Sequence, residues 1–217
     1  MSDAEPSTTT TPADSEAATP VRKRPKPGER RVQILEALAA MLEQPGAERI
    51  TTAALAARLE VSEAALYRHF ASKAQMFEGL IEFIEQTVFS LINQIIERAD
   101  EAPGAGHRQA AKIVAMLVQF GEKNPGMTRV MVGDALVFEN ERLQQRMNQF
   151  FDKIEATLRQ CLRDAAQDGG AATPSVQAQV SASLLTAFVV GRLQRFARSG
   201  FKRTPSEHLE ASLALML

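Results

Sequence analysis

The residue types best suited to chemistry in this 217-residue chain cluster between Thr51 and Lys73. The chemistry they suit is recognition of a phosphate-bearing polymer. Thr51, Thr52 and Ser62 carry hydroxyls, Tyr67 a phenol, and Arg68, His69 and Lys73 nitrogen donors. Such groups reach phosphate oxygens and fix register on a duplex without reading its sequence. Glu63, Ala64 and Ala65 precede Tyr67, and small side chains let a helix settle deep in a major groove, where alanine methyls meet thymine methyls. An arginine in that turn would name a guanine; Ala64 and Ala65 name little beyond tolerance for thymine.

Other chemistries find no such cluster. There is no His-Glu-x-x-His, no Gly-x-Ser-x-Gly and no P-loop, and Pro103-Gly-Ala-Gly106 follows a helical pattern where a phosphate cradle follows a strand. His69, His107 and His208 are far apart, with no cysteine or paired histidine at ligand spacing. Cys161 falls at helical spacing with Ile154, Leu158 and Leu162 and reads as a buried core thiol. No catalytic residue, metal ligand or cofactor is expected.

Charge is nearly balanced, 25 Lys+Arg against 26 Asp+Glu, so any basic surface is local. Asp3, Glu5, Asp14 and Glu16 lie in a Thr/Pro-rich start that reads as a disordered tail. Arg22, Lys23, Arg24, Lys26, Arg30 and Arg31, set against Glu29 alone, then form a basic stretch, either a solvated linker or an arm along phosphates. One cysteine excludes a disulfide framework and makes a reducing cytoplasm the default compartment. The start lacks the basic and then apolar pattern of a signal peptide, and uninterrupted apolar runs fall short of the roughly 20 residues that cross a bilayer. No membrane span is expected.

These groups need elements to hold them, and apolar residues recurring at 3.6-residue spacing between Pro and Gly predict an all-α chain. Helices are predicted over 29–43, 51–59, 62–70, 72–98, 107–123, 125–133, 139–167, 175–199 and 205–216. Thr51, Ser62 and Ser72 are N-caps. The pair 51–59 and 62–70, joined at Glu60-Val61, has helix-turn-helix proportions, with Leu55, Leu59, Val61, Leu66 and Phe70 closing a small core on helix 1. Glu60 holds the slot where such turns favour glycine.

In the helix over 72–98, Phe77, Leu80, Ile81, Ile84, Val88, Leu91, Ile92 and Ile95 make one stripe, which Phe83 leaves by about 120°. Phe83 either packs beneath a neighbouring helix or forms one wall of a groove, the other wall being Gln119, Lys123 and Asn124. A single head reads few base pairs and two heads on a two-fold axis reach successive grooves, so a homodimer is expected. The segment 182–190 and the stripe Leu209, Leu213 and Met216 are its expected interface.

The run from Ile50 to Lys73, above all Leu-Tyr-Arg-His-Phe-Ala-Ser-Lys at 66–73, resembles the DNA-binding head of the TetR family. Gly121 to Arg129, Phe138 to Gln149 and Arg198 to Pro205 resemble, within that family, the bacterial nucleoid occlusion factors. Glu60 and the long N-terminal extension depart from the pattern. The resemblance implies an all-α fold with a three-helix head at 29–73 on a dimerising, partner-binding body at 74–217, behind a tail and arm at 1–28. It implies binding of double-stranded DNA at chromosomal sites in the cytoplasm, on the nucleoid, and antagonism of the division protein FtsZ, whose C-terminal tail would occupy the groove at Phe83. The alternative is a TetR-like repressor released by a small apolar ligand.

Overall fold

Three side-chain oxygens open three successive helices. Thr51 Oγ1 accepts from the Ala54 N–H at 3.1 Å, Ser62 Oγ from Ala65 at 3.3 Å and Ser72 Oγ from Gln75 at 3.2 Å, each satisfying a helix-start donor that has no partner within its helix. The computed structural model describes residues 28–44, 50–98, 102, 104–168 and 172–217. Among them the chain forms α1 (Glu29–Leu42), α2 (Thr52–Arg58), α3 (Glu63–Tyr67), α4 (Lys73–Glu97), α5 (Ala105–Lys123), α6 (Pro125–Met131), a 3₁₀ turn (Asp134–Leu136), α7 (Glu141–Asp168), α8 (Pro174–Arg198) and α9 (Leu209–Met216).

The expected all-α fold is the observed one, with differences at element ends. Gly133, at φ 83°, stops the segment expected to reach 133 and leads into the 3₁₀ turn. The last helix starts at Leu209, not 205, because His208 sits at φ 53°, outside the right-handed helical region.

The α4 stripe is buried at Phe77, Leu80, Ile81, Ile84, Val88 and Ile92. Ile113 and Leu117 of α5, Phe150, Ile154 and Leu158 of α7, and Leu185, Val189 and Leu193 of α8 complete one core, each large side chain contributing about 1.5–3 kcal/mol on burial. Two glycines set how closely the helices approach. A Cβ on Gly106 would lie 2.1 Å from the Cys161 carbonyl oxygen, so α5 and α7 touch backbone to backbone. A Cβ on Gly126 would lie 1.9 Å from the Ala39 carbonyl oxygen, which joins α6 of the body to α1 of the head.

The expected dimer stripe at Leu209, Leu213 and Met216 needs correction. Leu209 and Leu213 are buried, and Met216 half-buried, against this chain's own core. Periodicity showed an apolar face and was silent on what covers it. Outward apolar side chains are Val176, Val180 and Leu184 on α8 and, on another face of α9, Leu215. Counted as a whole helix, α8 is long and apolar enough to cross a membrane by length and composition alone. Its inner face packs on α5, α6 and α7.

Candidate nucleic-acid interface

The two helices of the motif meet through a Schellman turn. Glu60 N–H donates to Ala57 O at 3.1 Å and Val61 N–H to Ala56 O at 3.0 Å, with Glu60 at φ 53°. A non-glycine residue there costs roughly 1–2 kcal/mol. Burial of Leu55, Leu66 and Phe70, each 1% exposed, offsets that cost. The motif is rigid because its inner side is closed.

Its outer side presents Ser62, Glu63, Ala64, Tyr67 and Arg68 as exposed residues, with Ala65 and His69 half-buried beside them. Thr52 Oγ1 donates to Glu63 Oε2 at 2.6 Å and Tyr67 Oη donates to Thr52 Oγ1 at 3.4 Å. This chain of hydrogen bonds ties α2 to α3 and orients the phenol across the exposed face. Thr51 and Ser62 accept backbone N–H groups as caps, so each keeps its own O–H to donate outward.

Two cations expected at phosphates have partners within the chain. The Lys73 ammonium pairs with the Glu139 carboxylate, from the loop before α7, and stands 5.7 Å from the Phe77 ring centroid. Arg31 stacks its guanidinium 4.1 Å from the Phe70 ring centroid and donates to the His69 carbonyl, fastening α1 to the end of α3. In this structure Arg31 braces the head. Arg30 donates to Gln33 at 2.9 Å. Arg22, Lys23, Arg24 and Lys26 lie outside the described residues.

A second bridge holds α4 further along. Arg146 of α7 grips Glu85 with Nη2 to Oε2 at 2.6 Å and Nε to Oε1 at 3.4 Å. The hydrogen-bonded Glu85 carboxylate keeps the guanidinium above its ordinary pKa. With Glu139 on Lys73, α7 and its leading loop hold the helix that carries the head at two levels. Neither pairing is legible in sequence, since the partners stand 66 and 61 positions apart.

The residues expected to wall a groove fall on directly packed helices. Phe83 of α4 is 44% exposed, so packing beneath a neighbour does not account for it. Gln119 and Lys123 are exposed one turn apart on α5. Asn124 departs from expectation: its Nδ2 donates to the Phe120 carbonyl at 2.7 Å, satisfying the end of α5 before Pro125. One N–H of that amide serves the fold.

Residues 34–80 match the model of the bacterial regulatory proteins of the tetR family, and residues 107–217 that of a SlmA-like, tetracyclin repressor-like C-terminal domain. The chain belongs to the TetR family, in its SlmA group. The nucleoid occlusion factor SlmA of Vibrio vulnificus strain YJ016 is 50% identical over 192 residues, 88% of this chain and 95% of its own. That of Idiomarina loihiensis is 49% identical over 187 residues, 86% and 93%. Among solved structures, FadR of Bacillus subtilis in complex with stearoyl-CoA superposes with a TM-score of 0.68 at 14% identity, covering 85% of this chain and 96% of its own. PfmR of Thermus thermophilus superposes at 0.66 and 20%, covering 86% and 95%. These two likenesses concern the TetR fold alone. Membership of the family implies DNA binding and dimer formation.

Proposed function

We propose that the chain is a nucleoid occlusion factor. As a homodimer it binds specific chromosomal DNA through the α3 surface of a head at 29–73. Bound there, in the cytoplasm on the nucleoid, it antagonises assembly of FtsZ and blocks septum formation over the DNA. The body at 74–217 supplies the dimer and receives the C-terminal tail of FtsZ beside Phe83. The observation that carries this reading is the extent of the likeness to SlmA, which spans head and body alike at half identity. An exposed phenylalanine on α4, and on the helix α5 packed against it an exposed Gln119 and Lys123, supply an apolar anchor and a cation, the pair that suits an acidic tail studded with apolar residues.

The test is sedimentation of purified FtsZ polymers with this protein, with and without a duplex it has selected from a random library. Polymers should be lost only when both protein and selected duplex are present. Polymers that survive, together with release of DNA by a small apolar ligand, would overturn the reading in favour of a repressor.

A further inference from the structure

We infer that the head-side end of α8 and the turn after it form a second DNA-backbone contact, made by the body and doubled across the dimer. This rests on the proposed dimer on DNA.

The turn is a built feature. Gly200 N–H donates to Ala197 O at 3.1 Å and Phe201 N–H to Phe196 O at 3.0 Å, ending α8, while Gly200 and Phe201 both take positive φ, 63° and 64°. A phenylalanine holds that conformation only where its ring is fixed. The Phe201 ring packs edge-on against Phe196, centroids 5.1 Å apart, and Arg129 of α6 lies over it at 5.1 Å. Ser199 Oγ then accepts both the Lys202 N–H at 3.1 Å and the Arg203 N–H at 2.9 Å. The backbone is fixed so that Lys202 and Arg203 stand outward, both exposed.

Arg195 and Arg198, also exposed, join them from the last turns of α8. None of these four cations has a side-chain partner among the described residues, in contrast to Lys73, Arg31 and Arg146. Arg195 and Arg203 share one shallow hollow with Arg192 and Glu207. Arg192 is engaged there with the Glu207 carbonyl and the Ser212 hydroxyl. The Glu207 carboxylate is the acidic group at the rim, 3.8 Å from His208. Four cations on a backbone already fixed by the end of α8 and its turn favour a polyanion, because binding orders side chains but no further backbone.

Placement selects DNA as that polyanion. Leu193 packs where a Cβ on Gly121, near the end of α5, would lie 2.4 Å from it. The end of α5 leads into α6, and α6 meets α1 of the head at Ala39. The last turns of α8 therefore lie at the head end of the body. Val176, Val180, Leu184, Ala187, Gly191, Arg195 and Arg198 follow one another at intervals of four, four, three, four, four and three, so the outward apolar face of α8 runs straight into these arginines. If that face is covered by a second copy, and both heads sit on one duplex, the two-fold axis runs from body to DNA. The two basic turns then flank the axis on the DNA side, eight cations opposite a duplex with one charge per roughly 1.7 Å of its length.

The test uses the full chain and two variants, Arg195→Gln/Arg198→Gln and Lys202→Gln/Arg203→Gln. Binding to the selected duplex and to a random duplex of about 40 base pairs is followed by fluorescence anisotropy over about 50–200 mM NaCl. Each variant should weaken binding to both duplexes and flatten the dependence of log K on log salt by about 2–4, with helical circular dichroism and dimer mass unchanged. An unchanged slope overturns the inference. So does a shift of the monomer–dimer equilibrium, which assigns the arginines to the subunit interface, and so does lost affinity for an FtsZ tail peptide at unchanged slope. Failure of the DNA reading looks different: the parent would then bind no duplex better than the head variant Ala64→Glu.

Discussion

The ammonium of Lys73, first residue of the helix that carries the head, is paired with the carboxylate of Glu139, whose side chain is only 11% exposed. The same lysine ends the stretch proposed to face phosphate. A cation cannot serve both anions fully, so on that reading Glu139 competes with DNA for Lys73.

Glu139→Gln should therefore raise affinity for DNA about threefold, the size expected of a partly exposed pair. Lys73→Ala should weaken specific and random binding about equally and flatten the salt slope by about 1–2, one lysine being lost from each copy of the dimer. With both changes together the Glu139 effect should vanish, since its target is gone. An additive double-mutant cycle by anisotropy would show that the two residues do not communicate.

Phe83→Ala should leave the melting temperature within about 2 °C of the parent and spare DNA binding, because the ring is half in solvent. Affinity for an FtsZ tail peptide should drop about thirtyfold, the loss of roughly 2 kcal/mol typical of an apolar anchor. Lys123→Glu should act in the same direction through repulsion. A melting temperature lowered by several degrees in Phe83→Ala would reassign the ring to the core.

Gly106→Ala puts a methyl against the Cys161 carbonyl, a backbone atom that cannot swing aside. Overpacking of this kind costs about 1–3 kcal/mol, so a fall of about 3–10 °C in melting temperature is expected by calorimetry.

Burial pushes the Cys161 thiol up from its ordinary pKa, and nearby Asp164 adds to the rise. With the folded value raised, the folded state holds its proton longer than the unfolded chain. This contribution to stability is complete below the unfolded pKa near about 8.5 and is lost as pH climbs through the folded value. Urea midpoints of the parent should fall more steeply between pH 8 and 10 than those of Cys161→Ala. Equal slopes would show that the thiol is not protected.

What could be read from the sequence was local. Thr51, Ser62 and Ser72 announce their helices because a cap and the donor it satisfies stand three residues apart. The strained turn at Glu60 was legible for the same reason, from the spacing of two short amphipathic segments. Non-local pairings were not legible. That Glu139 would meet Lys73, or that Arg31 would brace Phe70, depends on how distant helices come together. Leu213 and Leu184 both read as interface candidates by type, and only the fold separates the residue it buries from the one it exposes. Asn124 is expected in the groove wall from its place at the end of α5, and its bond to the Phe120 carbonyl depends on a local cap geometry that residue type alone does not announce.

The contact of Gly126 with the Ala39 backbone makes the head and the body one lever. In the proposed dimer, two such levers joined at the body would act as a calliper, so its operator would have to match it in phase as well as in sequence. One base pair inserted between half-sites would turn the second about 35° around the helix axis, away from the head meant to read it. Half-site spacing would thereby be written into Gly126.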